Sequence, residues 1–279
     1  MNNNLEFKNP SIVERIKGML SVDFYRLFHT PLFYIFLGIA AIIPALVSMG
    51  MSTTDPLTHQ ITGTTLENIW IMVAVDKPLY IVNNIAEYAN MNMVFIFGGI
   101  MVSIFIGHDY KSGYVKQLFT AHAKKQDYMI SKSLACAFAM ACMCLTYLIG
   151  TIVSGAINQI SFNVDVGSLI LAILGKMIMS LGWASLYTFL NIIFRRYFGI
   201  SIASCFFFGT GILIIGAGAV IDGLSLNSSI LNIFLYGSSV NACLCSNILT
   251  LLTCLGVSLL WSVIYNIVGT HILNNSDVY

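Results

Sequence analysis

Six long apolar stretches constrain the fold of this chain more than any other feature of its sequence. Each approaches or exceeds the length of about 20 residues that a helix needs to cross the roughly 30 Å hydrocarbon layer of a bilayer. Only 9% of the 279 residues are charged and 57% are hydrophobic, which predicts an all-α membrane protein. The predicted spans are Leu32–Met51, Asn90–Gly107, Ser133–Ile157, Gly167–Phe194, Phe198–Ile221 and Ile248–Leu273.

Basic residues are concentrated in alternate connections between these stretches. Four precede the first span, five lie between the second and third, and Arg195 and Arg196 separate the fourth from the fifth. Because loops rich in lysine and arginine stay on the cytoplasmic side, this pattern predicts six spans with both termini in the cytoplasm. The predicted parts are a cytoplasmic tail with an interface helix at 1–31, a membrane domain at 32–273 with a cytoplasmic loop at 108–132, and a cytoplasmic tail at 274–279.

The segment before the first span has the pattern of an amphipathic helix. Ser11 and Glu14 fit a capping box at its start. Arg15, Lys17 and Arg26 are expected to lie off the apolar face and to reach lipid phosphates, while the apolar face lies in the acyl boundary. Two alternatives stay open for this interface helix, a simple orientation anchor or an elbow that moves with the first span. The apolar residues that recur at helical spacing are Ile12, Ile16, Met19, Leu20, Phe24, Leu27 and Phe28.

Sequence motifs of catalysis do not occur in this chain. It has no P-loop, no H-E-x-x-H motif and no G-x-S-x-G motif, and its five histidines are scattered. We therefore expect no enzymatic activity, no cofactor, no metal site and no nucleic-acid partner. Cys243 and Cys245 form a C-x-C pair in a predicted outer loop, and the sequence leaves open whether they pair or bind metal.

The connection between the second and third spans mixes five lysines with aromatic and apolar side chains. It resembles the cytoplasmic loop of the permease subunits of ABC-2 type transporters, and the order of helix, span, long outer segment and basic loop extends this resemblance to essentially the whole chain. His122 stands where that family has a proline. The positions that match the family's pattern in chemistry and spacing are Asp109, Gly113–Tyr114, Leu118–Phe119, Lys125 and Lys132.

The resemblance implies a permease subunit of an ATP-driven exporter in a bacterial plasma membrane. A separate ABC ATPase subunit would bind ATP and Mg²⁺, and membrane lipid would surround the spans. Six spans make half of the usual permease, so a second copy of this chain is favoured as the other half, with a sister permease as the alternative. Short connections and 12% aromatic residues resemble the small permeases of lantibiotic immunity and of amphipathic-peptide toxin exporters.

An amphipathic or hydrophobic peptide is therefore the expected substrate. The alternatives are an ABC exporter of drugs or lipids, and a secondary carrier or channel that works without an ATPase. Soft apolar side chains in the spans are the expected wall of the translocation path, because such surfaces can repack around varied ligands. These candidates are Met177, Met179, Phe206, Phe207 and Phe208.

In the resembled family the loop forms a short coupling helix that docks into a groove of the ATPase. We expect this helix at Tyr110–Phe119, with Gly113 allowing a sharp turn and with Tyr114 and Leu118 as buried anchors. Lys124 and Lys125 are expected to contact lipid phosphate or the rim of the ATPase. The alternative is that the lysines only orient the loop. The candidate coupling residues are Asp109, Tyr110, Gly113, Tyr114, Lys116, Leu118, Phe119, Lys124 and Lys125.

One lysine lies inside a predicted span. Lys176 precedes Arg195 by 19 residues, which corresponds to roughly 28 Å along a helix and nearly the full hydrocarbon thickness. The sequence therefore predicts that its ammonium group extends to the outer interface, so that Lys176→Gln retains transport.

Overall fold

Helices form almost all of the structure. The computed structural model describes residues 10–51, 85–121, 123–157, 166–224, 228–243 and 247–275, and no strand occurs in these ranges. The prediction of an all-α protein is confirmed for this part of the chain. The helices are α1 Ile12–His29, α2 Pro31–Met51, α3 Ile85–Lys111, α4 Tyr114–Thr120, α5 Lys125–Ile157, α6 Val166–Ile193, α7 Phe198–Gly209, α8 Ile212–Gly223, α9 Leu235–Cys243 and α10 Ile248–Asn274, with a 3₁₀ helix at Ser228–Ile233.

Within the described residues, four to six segments are long and apolar enough to cross a membrane. Helices α3, α5, α6 and α10 meet this criterion alone. Two bent pairs meet it together: α1 with the first part of α2, bent by 66°, and α7 with the first part of α8, bent by 47°. Length and composition thus support a membrane-embedded protein.

The predicted fifth span, Phe198–Ile221, is two helices and not one. Helix α7 ends at Gly209 and α8 begins at Ile212. Between them Gly211 has φ +70°, a left-handed conformation that interrupts a helix and is easily adopted only by glycine. Apolar length alone had hidden this break, because the hydrophobic pattern continues through it.

Helix α6 lies at the centre of the bundle, where it packs against α3, α5, α9 and α10. Hydroxyl groups connect it to α10. Ser258 donates to the carbonyl of Ile178 at 2.7 Å and accepts from the amide of Gly182 at 3.0 Å, and Ser185 lies 2.8 Å from Ser262. Such polar contacts hold helices together where surrounding lipid offers no hydrophobic driving force.

Small residues let the backbones of α2 and α5 approach closely. A Cβ atom on Gly150 of α5 would overlap the backbone of Ala41 on α2. Only a glycine at this position allows the observed contact between the two backbones. Gly150 therefore lets α2, which belongs to the first candidate span, pack closely against α5.

The prediction that Lys176 extends to the outer interface is wrong. Its side chain is only 1% exposed, and its ammonium group lies 4.9 Å from the centre of the Phe95 ring on α3. The face of α6 that carries Lys176 is turned into the bundle, so the side chain packs inside the protein and not along its surface. Periodicity within a nearly uniform apolar segment could not reveal that orientation.

Two short helices, the 3₁₀ helix at Ser228–Ile233 and α9, precede the last candidate span. The 3₁₀ helix and α9 bury Leu231, Leu235, Tyr236 and Val240 against the bundle. The predicted outer segment 52–88 is described only from Ile85 onward, and the question of Cys243 and Cys245 concerns side chains outside the described residues.

Candidate functional site

The first helix begins with the predicted capping box. The Ser11 hydroxyl accepts from the Glu14 amide at 3.3 Å, and the Glu14 carboxylate accepts from the Ser11 amide at 2.7 Å. Five residues of the predicted apolar face are at least partly buried within the protein, namely Ile16, Met19, Leu20, Phe24 and Leu27, whereas Ile12 and Phe28 are exposed.

Two of the three basic residues of this helix face the protein and not lipid phosphates. Arg15 bonds to Asp127 of α5 at 2.7 Å, and Arg26 lies 2.5 Å from Asp109 of α3. Lys17 alone of the three is exposed. This difference from the prediction arises because acidic residues on neighbouring helices lie close to Arg15 and Arg26. Contact with a carboxylate is more favourable for a guanidinium group than an exposed position is.

Four charged residues from three helices meet in the interior, and we call Asp23, Arg26, Asp109 and Lys132 the buried charge cluster. The Lys132 ammonium lies 2.6 Å from the Asp23 carboxylate and 2.6 Å from the Asp109 carboxylate. The side chains of Asp23, Asp109 and Lys132 are 0% exposed, and that of Arg26 is 22% exposed. Helices α1, α3 and α5 are thereby joined by ion pairs at one point.

The net charge of the buried charge cluster is zero, because it contains two carboxylates and two cations. Desolvating four ions is costly, and the cost is offset only when pairing and hydrogen bonding are good. Two further hydroxyl groups help: Ser131 donates to Asp23 at 2.5 Å, and Tyr128 donates to Asp109 at 3.4 Å. The contact of Arg26 with Asp109 is close but is not aligned as a hydrogen bond.

Aromatic rings surround the two cations of this cluster. The Arg26 guanidinium lies 4.1 Å from the centre of the Tyr114 ring, and the Lys132 ammonium lies 4.4 Å from that of Phe105. Burial raises the pKa of the Tyr114 phenol, and the Asp23 carboxylate raises it further. Tyr114, the first residue of α4, therefore stays neutral and fastens this short helix to the charge cluster.

The short helix of the loop begins later than the sequence predicts. Helix α3 continues to Lys111, and Gly113, with φ +75°, turns the chain so that α4 runs from Tyr114 to Thr120. The predicted role of Gly113 as the turning point is confirmed. The predicted start at Tyr110 is wrong, because the span extends one turn past the hydrophobic segment.

One face of α4 packs on the protein and the other is exposed. Val115 is buried, and Leu118 and Phe119 are partly buried against a small cluster. The exposed side chains are Lys116, Gln117 and Thr120. Tyr114 and Leu118, the predicted anchors for a partner's groove, thus already have contacts within this chain, and their role as anchors stays a prediction.

Two polar contacts at the edge connect the same loop to the first and last helices. Arg15 binds Asp127 in the first turn of α5. The Lys125 ammonium donates to the backbone carbonyl of Leu273 at 2.5 Å, near the end of α10. Lys125 is therefore engaged inside the protein, while its neighbour Lys124 is exposed.

The structure brings together most of the predicted coupling residues, and it places the candidate path residues on α6 and α7. Tyr110 packs between the main core and the small cluster beside α4. Met179 is fully buried and Met177 is partly buried in the core of α6. Phe206 and Phe207 are 50% and 42% exposed on α7, and Phe208 packs against the core. Their role as the wall of a translocation path stays a prediction.

Sequence reasoning missed Asp23, Phe105 and Tyr128 as members of the site. Asp23 did carry a signal, because it lies at helical spacing among the apolar residues that α1 turns inward. An acidic residue on a buried face requires a cation on a facing helix. Lys132 is such a cation, and it entered the sequence analysis only through the family's spacing.

The described ranges hold no group of three or more His, Cys, Asp or Glu side chains able to bind a metal ion. The site's chemistry is that of ion pairing between helices. No known protein family matches the chain, and no curated protein sequence is similar to it.

Proposed function

We propose that this chain is the permease subunit of an ATP-driven exporter and that α4 is its coupling helix. The function class comes from the resemblance of the loop and of the order of parts to ABC-2 type permeases. The observation that supports it best is the attachment of α4 to the buried charge cluster. Movement of α4 would be transmitted to α1 through the contact of Tyr114 with Arg26. It would reach α3 and α5 through the ion pairs of Asp109 and Lys132.

This attachment is what a coupling element requires. A loop that serves only to orient spans needs no fixed position, since its positive charge alone keeps it in the cytoplasm. Here α4 contacts the buried charge cluster through the Tyr114 ring, whose centre lies 4.1 Å from the Arg26 guanidinium, and Lys125, at the start of α5, bonds to the end of α10. In this proposal α1 is an elbow helix that moves with the coupling helix.

The docking face for the ATPase would be the exposed side of α4, with Lys116, Gln117 and Thr120. It carries no apolar side chain, so it is suited to a polar surface in water and not to insertion into lipid. The acidic residues beside it, Asp109 and Asp127, are buried and paired. In this proposal the exposed face of α4 meets an acidic rim on the ATPase, where a lysine mainly steers and orients the approach.

The proposed substrate is an amphipathic or hydrophobic peptide that crosses between two permease copies. Its support is the resemblance to small peptide-exporting permeases and the apolar character of the spans. Drugs and lipids are the alternative substrates for the same assembly.

The test is copurification of the tagged chain from its native membranes. We expect an ATPase with nucleotide-binding motifs to copurify. The double variant Lys116→Glu/Gln117→Glu should lose it while keeping its unfolding midpoint, since both side chains are exposed. Lys17→Glu, an exposed charge reversal on α1, is the matched control and should retain it. If no ATPase copurifies with the wild-type chain, or if the double variant binds it as well as the control does, the proposal is wrong.

A secondary carrier is the second candidate, and one observation favours it. Asn191, Ser201, Ser103 and Cys205 form a buried hydrogen-bonded group between α3, α6 and α7, close to a broken span. Discontinuous spans with polar groups inside the membrane are typical of secondary transporters. Substrate uptake by proteoliposomes that contain this chain alone, driven by an ion gradient, would favour the carrier.

A further inference from the structure

Two hydrogen-bond donors are buried without a partner beside the broken span. The Tyr187 hydroxyl and the Trp183 indole N–H, both on α6, have no hydrogen-bond acceptor among the described residues. Tyr187 is 0% exposed and Trp183 is 1% exposed. Leaving such a group unpaired costs stability, and native proteins rarely do so without a reason.

The Tyr187 hydroxyl is directed at the last residue of α7. A Cβ atom built on Gly209 would lie 3.0 Å from this hydroxyl and 3.0 Å from the side chain of Ile96. On the other side, a Cβ on Gly99 would lie 3.0 Å from the phenol ring. Two glycines thus border the ring, and Gly209 lies two residues before Gly211, the glycine at the break.

This break lies inside the predicted hydrocarbon layer. Helix α7 has 12 residues, or roughly 18 Å at 1.5 Å per residue, and it starts just after the basic pair Arg195 and Arg196. In a layer of about 30 Å the break falls a few ångströms past the midplane. Irregular backbone at this depth is tolerated where it is buried in protein or lines a cavity.

Two unpaired donors lie near this break. The Tyr187 hydroxyl borders Gly209, and the Trp183 ring lies 5.5 Å from the Tyr187 ring. Trp183 stacks on Phe95 with ring centres 5.5 Å apart, and the Lys176 ammonium lies 4.9 Å from the Phe95 ring centre. Two buried donors without a partner suit an acceptor oxygen.

We propose that Tyr187 and Trp183 bind a carbonyl or carboxylate oxygen of an apolar molecule when the α7–α8 break opens. The break has to open first, because in the observed conformation the space between Gly209 and the Tyr187 hydroxyl is too narrow for a methyl group. The inference deepens the proposed function by naming the group that holds a transported molecule. The experiments below use this chain without an ATPase. This inference can therefore fail while the ATPase copurifies, and it can hold while no ATPase copurifies.

The first measurement is the unfolding midpoint of Tyr187→Phe in lipid nanodiscs without ligand. Removing an unpaired hydroxyl removes its desolvation cost, so the midpoint should rise by roughly 2–8 °C. Tyr25→Phe, on a side chain that is 63% exposed, is the control and should leave the midpoint unchanged. A lower midpoint for Tyr187→Phe would mean that the hydroxyl has a partner in the fold, and it would overturn the proposal.

The second measurement is binding of two radiolabelled probes, the capped peptide N-acetyl-Leu-Phe-Leu amide and laurate. At least one should bind the wild-type chain, and Tyr187→Phe should weaken that binding about 2- to 10-fold, the worth of one neutral hydrogen bond. Which probe binds distinguishes a peptide carbonyl from an acyl carboxylate. Binding of neither probe, or equal binding by Tyr187→Phe, would overturn the proposal.

Access to the hydroxyl can be tested separately. Gly209→Ala places a methyl group against the Tyr187 hydroxyl and should reduce binding of the same probe. Gly199→Ala lies on the same helix with no atom within 4 Å of the added Cβ, so it should bind the probe as wild type does. Equal binding by both alanine variants would contradict entry through the break.

Discussion

Replacing Lys132 by methionine tests whether the buried charge cluster holds α1, α3 and α5 together. The substitution leaves Asp23 and Asp109 in the interior with only Arg26 to balance them, and both carboxylates lose a contact of 2.6 Å. Breaking a buried ion network by removing one partner costs about 3–5 kcal/mol. For a chain of this size the unfolding midpoint should fall by roughly 6–20 °C.

The chain offers a matched control eight residues away. Lys124 belongs to the same basic loop but is exposed, so Lys124→Met should change the free energy of unfolding by less than about 0.5 kcal/mol. The assay is thermal unfolding of detergent-purified protein, followed by size-exclusion chromatography of heated samples. Equal effects of the two substitutions would show that the loop lysines act only through their charge.

A double variant separates charge balance from packing. Asp23→Asn/Lys132→Met removes one charge of each sign and leaves Arg26 paired with Asp109. It should be more stable than the sum of the two single effects predicts, by about 1–3 kcal/mol. If the two effects were additive, the 2.6 Å contact between these residues would carry no coupling and the ion network would be refuted.

Three further substitutions test other contacts of the fold. Gly150→Ala should destabilise the protein by about 1–3 kcal/mol or more, because its methyl group would overlap the facing backbone. Gly38→Ala, with no atom within 4 Å of the added Cβ, should not destabilise it. Equal unfolding midpoints of the two variants would contradict the close helix contact. Lys176→Gln should cost about 0.5–2 kcal/mol in the same assay, because a buried cation loses its aromatic contact, and an unchanged midpoint would favour an ammonium group at the outer interface. Arg15→Ala and Asp127→Ala should show a coupling of about 1 kcal/mol in a double-mutant cycle that weakens with added salt, and a salt-independent value would argue against an ion pair between the partly exposed Arg15 and the buried Asp127.

Much of the architecture follows from local sequence. The capping box of Ser11 and Glu14 and the turn at Gly113 were predictable because each depends on residues within one helical turn. Long apolar segments predicted helices long enough to span a bilayer, because that prediction depends only on the composition of each segment. None of these features requires knowledge of which helices are neighbours.

The orientation of each helix was decided only by the tertiary structure. In a segment that is apolar on every side, periodicity does not show which face is inward, so neither the burial of Lys176 nor the unpaired hydroxyl of Tyr187 could be predicted. The buried charge cluster needed the packing of α1, α3 and α5, because Lys132 is 109 residues from Asp23 along the chain. An ion pair depends on distance in space, and only the fold brings these charges within 2.6 Å.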